Sequence, residues 1–187
     1  MIKVAKFGGT SMSNAEAMRR CADIVKSEDA RRYVVVSAPG KRVKGDEKVT
    51  DMLYAAQSCA AAGEDCTPVF DKIEERFLKI TADLGLSLDL KPVLADIKAR
   101  IGGGADAHYA ASRGEYLSAM VFAAYIGYDF IDAAEVVKFA SDGSFDDECT
   151  NDLMSAAMKS HKRAVFPGFY GALPSGQVRT FSRGGSD

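Results

Sequence analysis

Apolar and polar positions along the 187 residues fall into two regimes, short continuous apolar runs and longer helical stripes. The segment Ile2-Lys3-Val4-Ala5-Lys6-Phe7 predicts a strand, and Gly8-Gly9-Thr10-Ser11 follows as a turn. Ser13 and Glu16 stand in capping-box spacing, so a helix is expected immediately afterwards. Arg32 to Ser37 contains the Tyr-Val-Val-Val run of a strand covered on both faces, ended by Pro39-Gly40. The expected unit is two parallel strands joined by a helix.

From Val49 to about Ile101 the pattern turns helical. Met52, Leu53 and Ala56 form one stripe, Val69, Phe70, Ile73, Phe77 and Ile80 another, and Leu94, Ile97 and Ile101 a third. Breaks fall at Gly63, Gly85 and Gly102-Gly103-Gly104. A further helix is expected from about Ser112 to Ile126, with Ser112 and Glu115 again in capping-box spacing, then short strands near 128–131 and 135–139. A helix over 147–160, a buried strand over 163–166 and a hairpin over 170–181, turning at Pro174-Ser175-Gly176, complete the pattern. The order predicts an α/β domain: a mainly parallel central sheet flanked by helices, with a helical insertion at about 63–106. In such sheets ligands sit beyond the carboxyl ends of the strands, where the turns at 8–11, 37–40 and 167–169 should gather. Arg183-Gly184-Gly185-Ser186-Asp187 is a polar glycine turn with no element after it, so the chain is read as truncated.

Composition is that of an ordinary globular domain, 47% hydrophobic and 27% charged, with a net charge of -2. That balance argues against a nucleic-acid or anionic membrane surface as the main partner. Residues 1–45 nevertheless hold ten Lys/Arg against four Asp/Glu, which suits either a phosphorylated ligand or a solvated face. Cys21, Cys59, Cys66 and Cys149 have no metal or redox spacing, and with only His108 and His161 as further ligands no metal site is expected. The amino terminus reads straight into a strand and the longest mostly apolar run, 116–131, is too short to span a bilayer, so a cytoplasmic location is expected.

Several segments could carry chemistry. Lys6 closes a strand, and the Gly8-Gly9 turn that follows lets backbone N–H groups approach an anion. Lys6, Phe7, Gly8, Gly9, Thr10 and Ser11 thus form a candidate phosphate cradle, although no Walker A pattern is present and a tight turn explains the glycines equally well. Ser37 and Thr50 offer hydroxyls after the second strand, Thr50 also as a near-cap residue. Glu115 either closes a capping box or accepts a substrate ammonium. Phe169 either packs in the core or meets a ligand. Arg183, Ser186 and Asp187 combine a guanidinium suited to a carboxylate, a hydroxyl and an acid.

Taken in order, KFGGTS at the amino terminus, VVVSA at 34–38, SRGE, FPGFYG at 166–171 and TFSRGGSD at the end resemble the aspartate kinases of the amino acid kinase family. That resemblance implies a carbamate kinase-like fold and transfer of the ATP γ-phosphoryl group to the β-carboxylate of L-aspartate. It also implies ATP with Mg2+ as co-substrate and a homo-oligomeric full-length enzyme. By the same pattern Lys6 would neutralise phosphate charge, Gly8, Gly9 and their neighbours would hold the phosphoryl group, Arg183 would take a carboxylate, and Glu115 and Asp187 would face the ammonium or organise the lysine and magnesium. Ser37, Thr50, Glu115, Phe169, Arg183, Ser186 and Asp187 would hold aspartate. The nucleotide-binding half and the regulatory ACT domains would lie beyond this sequence. Other acceptors within the family, and a non-catalytic binding module, are the competing readings.

Overall fold

The computed structural model describes residues 1–182, so Arg183, Gly184, Gly185, Ser186 and Asp187 lie outside the described residues. Strand β1 (Lys3–Phe7) passes through a single 3-10 turn (Gly9–Met12) into helix α1 (Ala15–Lys26). Asn14, rather than Ser13, caps that helix: its side chain accepts the Ala17 N–H at 2.9 Å while Ser13 is buried. Strand β2 (Arg31–Val36) returns parallel to β1, with Lys6 opposite Val35.

Four helices follow, α2 (Val49–Ala61), α3 (Thr67–Leu84), α4 (Lys91–Gly102) and α5 (Ala107–Ile126), as the stripes predict. Helix α5 starts earlier than the sequence pattern suggests, because Asp106 caps it by accepting the Tyr109 N–H at 2.8 Å. The Ser112–Glu115 capping box is therefore overturned, both residues lying buried in the helix interior. The remaining elements are β3 (Asp129–Phe130), α6 (Ala133–Val136), β4 (Lys138–Phe139), β5 (Phe145–Asp146), α7 (Asp147–Ser160), β6 (Ala164–Pro167), β7 (Tyr170–Ala172) and β8 (Val178–Thr180). The strand expected over 135–139 begins instead as the short helix α6, whose cap Asp132 accepts the Ala134 N–H.

Among the described residues two four-stranded sheets result. The first, in the order β1-β2-β6-β3, is wholly parallel; the second, β5-β4-β7-β8, is mixed and takes β4 away from the central sheet. Strand alternation divides the parallel sheet between two cores. Val34, Val36 and Val165 join the large cluster built with α1, α2, α3, α4 and α5. Tyr33 and Phe166 face the other way, into a smaller cluster with Leu153, Met154 and Met158 of α7. Helix α5 is buried nearly all round, as a central helix must be. Among the described residues no helix is long and apolar enough to cross a membrane.

Candidate functional site

The carboxyl ends of β1 and β2 open onto a polar cavity of about 370 Å³ lined by Gly9, Thr10, Ser37, Ala38, Pro39, Gly40, Lys41, Lys48, Thr50 and Glu115. Position follows from the chain path. After β2 the Ser37 N–H donates to the Phe7 carbonyl at 3.0 Å, extending the parallel pairing one residue and setting the serine beside Gly8. The chain then crosses over β1, where the Gly40 N–H donates to the Gly9 carbonyl at 2.8 Å. A Cβ on Gly9 would lie 2.9 Å from the Ala38 carbonyl oxygen, so glycine is required there by backbone contact. Gly8 differs: its φ is -77° and nothing lies within 4 Å of a Cβ built there. Its value is open space above the peptide, the property a cradle for an anion needs.

Glu115 forms the floor. Gly114, in the interior of α5, would meet the Ala38 Cβ at 2.7 Å if it carried a side chain, and its absence of one lets the helix seat directly against the Ser37-Ala38 corner. Glu115 is consequently only 6% exposed. One carboxylate oxygen has no hydrogen-bond partner, and Ser118 Oγ, one turn further along, shares that condition. Burial pushes the Glu115 pKa up to about 7, only partly opposed by the Ala38 backbone N–H and the charge of Arg113. A buried polar atom without a partner is uncommon and costly, and here it lies at the edge of a cavity.

The rim has the opposite polarity. Lys48 occupies the cap position of α2 without a side-chain cap bond, and Thr50 sits in the first turn. The helix amino terminus, the Thr50 and Ser37 hydroxyls, Lys41 and Lys48 thus make a surface favourable to an anion above a floor suited to a cation. This is the electrostatic shape of a zwitterion.

The predicted residues divide. Gly9, Thr10, Ser37, Thr50 and Glu115 are brought together. Phe7 contributes its carbonyl to Ser37 while its ring packs edge-on against Phe122 at 6.1 Å. Ser11 donates its N–H to the Gly8 carbonyl at 2.9 Å, closing the turn. Lys6 is exposed, and strand alternation puts it on the side of Val4, away from α5. Phe169 lines a separate apolar cavity of about 290 Å³ with Val4, Val35, Phe166 and Phe181. The Arg183, Ser186 and Asp187 assignments fall outside the described residues. Lys41 and Lys48 join the site without a motif to mark them, while Gly40 lies in the 37–40 turn and Gly114 in the SRGE segment, where a glycine inside an apolar helical stripe usually has a packing reason.

With its parallel sheet, glycine turn and polar cavity at the strand ends, the chain belongs to the amino acid kinase family, whose profile matches residues 1–187. Within that family it is similar to aspartokinases. It is 34% identical to aspartokinase 3 of Bacillus subtilis over 206 residues, covering 100% of this chain and 44% of the relative. A putative inactive aspartokinase 3 of Haemophilus influenzae is 54% identical over 63 residues, 34% of this chain and 46% of the relative. The crystal structure of Clostridium acetobutylicum aspartate kinase superposes with a TM-score of 0.95 at 40% identity, over 98% of this chain and 42% of that one. Escherichia coli aspartokinase III, solved with aspartate and ADP, shares the fold with a TM-score of 0.81 at 24% identity, over 99% of this chain and 44% of that one. The chain thus spans less than half the length of the Bacillus, Clostridium and Escherichia relatives.

Proposed function

We propose that this chain is the amino-acid-binding part of an aspartate kinase, and that the complete enzyme transfers the γ-phosphoryl group of ATP to the β-carboxylate of L-aspartate, giving 4-phospho-L-aspartate for lysine, threonine and methionine biosynthesis. The observation that carries the reading is Glu115: a buried carboxylate with an unpartnered oxygen beneath a cavity whose rim offers hydroxyls, lysines and a helix amino terminus. The aspartate ammonium would pair with Glu115, and a substrate carboxylate would take the Ser37 and Thr50 hydroxyls.

An ionised carboxylate is already a nucleophile and needs no base, so catalysis reduces to alignment and charge neutralisation. Gly8 and Gly9 would receive the transferred phosphoryl group at the strand end, with Lys6, two residues upstream of Gly8, neutralising its charge. Among the described residues no cluster of His, Cys, Asp or Glu could hold a metal ion. Magnesium would arrive on the nucleotide, and the roles of Glu115, Ser37, Thr50 and the glycine turn do not depend on it. In the proposed enzyme the nucleotide-binding half and the regulatory domains would lie in sequence beyond this chain, as would any homo-oligomeric interface they form.

Calorimetric titration of the chain tests the reading. L-aspartate should bind with one site per chain while ATP binds hardly at all. An absent aspartate signal, or an equal response to glutamate, N-acetylglutamate, carbamate or uridylate, would overturn it.

A further inference from the structure

The polar cavity depends on the segment 39–48, which crosses from β2 to α2 without helix or strand and supplies Pro39, Gly40, Lys41 and Lys48 to the lining. Such a segment, eight residues of it exposed or half-buried from Lys41 to Lys48, has little intrinsic reason to hold one shape. Its fixation comes from outside. Arg76, in the middle of α3, is a helix away from the cavity, yet its side chain is only 4% exposed. Nη1 donates to the Gly40 carbonyl at 3.2 Å, and Nη2 donates to the Glu47 carbonyl at 3.1 Å and to Asp46 Oδ2 at 2.9 Å. Asp46 in turn binds Arg42 through Nε and Nη2, each at 2.8 Å, and through the Arg42 backbone N–H at 2.9 Å.

We infer that Arg76 is a positioning residue for the amino-acid site: by gripping Gly40 and Glu47 at once it sets the separation of Lys41 and Lys48, and through Gly40 it presses the crossing chain onto Gly9. The inference rests on the reading of the cavity as an amino-acid site. Its physical basis is the fork of the guanidinium. Five donors in one plane can satisfy two carbonyls and a carboxylate together, which an ammonium on a flexible stem cannot do in the same geometry. A buried arginine in that position also has strong reason to remain paired, because loss of its partners would strand a charge in the interior. The coupling continues through the Gly40 N–H bond to the Gly9 carbonyl, where a Cβ on Gly40 would stand 2.8 Å from the Gly9 carbonyl carbon. Helix α3 thereby communicates with the glycine turn, although no residue of α3 lines the cavity.

The test compares Arg76→Lys and Asp46→Asn with the unmodified 187-residue chain, using amide hydrogen exchange and calorimetric titration with L-aspartate. Exchange across 40–48 should accelerate about tenfold in Arg76→Lys, and aspartate affinity should fall by about the same factor, the scale of one charge-assisted hydrogen bond. Asp46→Asn should move both in the same direction by less, which guards against a special effect of altering α3. Protection of α5 amides serves as the measure of global folding. A merely structural role would lower the bound stoichiometry, through a smaller folded fraction, and leave Kd unchanged. Unaltered exchange of 40–48, or accelerated exchange with unaltered Kd, overturns the inference. If the unmodified chain takes up no aspartate, the reading of the cavity is what fails, and the exchange data, which need no ligand, separate that outcome from failure of the anchor.

Discussion

Two cavities share strand β2 and are opposites in chemistry. The one on the α7 side of the sheet, between Tyr33, Val35, Phe166, Phe169 and Phe181, is walled almost entirely by carbon. The one at the strand ends has Glu115 beneath it and Lys41, Lys48, Ser37 and Thr50 around it. Apolar walls would hold a ligand by area alone and could not orient a small charged one. The polar cavity leaves a carboxylate oxygen unpaired, and a fold rarely tolerates that without a compensating occupant. The lesson is that the chemistry of the lining separates the two cavities more sharply than their enclosed volumes do.

Substitutions that affect one cavity and spare the other would sharpen this contrast. The largest effect is expected from Phe166→Ala, which should remove about 3–5 kcal/mol of stability by opening a hole in the smaller core, measured by denaturant unfolding, while aspartate affinity of the folded fraction holds. A parallel loss of affinity would mean the two regions are not independent. Next comes Glu115→Gln, which removes the charge for the ammonium and should weaken aspartate binding by about 2–3 kcal/mol, read by calorimetry. Retained affinity would remove the basis for the assigned role.

The same carboxylate makes the contrast depend on pH. Its folded pKa of about 7 lies above the ordinary 4.5, so the folded state binds the proton more tightly than the unfolded one. That contribution to stability is complete below pH 4.5 and is lost progressively as pH rises through about 7, roughly 3 kcal/mol in all. Ligand binding runs the other way, because an ammonium requires the ionised acid: aspartate affinity should fall up to about tenfold per unit below pH 7. Both slopes should vanish in Glu115→Gln, and persistence of either would place the titration on another group.

The smallest effects separate the two glycines of the turn. Gly9→Ala should cost about 1–3 kcal/mol of stability through backbone overlap with Ala38. Gly8→Ala has room and should leave the melting temperature nearly unchanged, while reducing phosphoryl transfer in the complete enzyme. If the two variants melt alike, the distinction between a packing glycine and a ligand glycine fails.

The strands and helices with strong local signals were legible from the residues themselves: the Tyr33–Val36 run, the three stripes between Val49 and Ile101, and the hairpin at Pro174-Ser175-Gly176. Misreadings came where local and tertiary signals compete. Glu135-Val136-Val137 has β-branched content, but Asp132 caps a short helix there and tertiary pairing moves Lys138 into the second sheet. Ser112 and Glu115 have capping-box spacing, yet Asp106 starts the helix earlier and turns that spacing into a buried face. In the site, residues carrying hydroxyls, charge or turn glycines could be singled out. For Gly40, in the 37–40 turn, and Gly114, in the SRGE segment, the residue was visible but its packing role was not, and Arg76 was not visible at all, because these roles arise from approach between segments distant in sequence.

Phe169 has a positive φ of 77°, the one such value among described residues other than glycine. Holding a bulky residue there costs about 1–3 kcal/mol, offset by the Phe181 N–H bond to its carbonyl at 2.8 Å and by the seat of its ring. The turn from β6 to β7 is thus held by two restraints, and a ring that lost its seat would leave the left-handed backbone to the hydrogen bond alone. The cavity wall and the chain bend therefore share one residue, so a change in either is felt by the other.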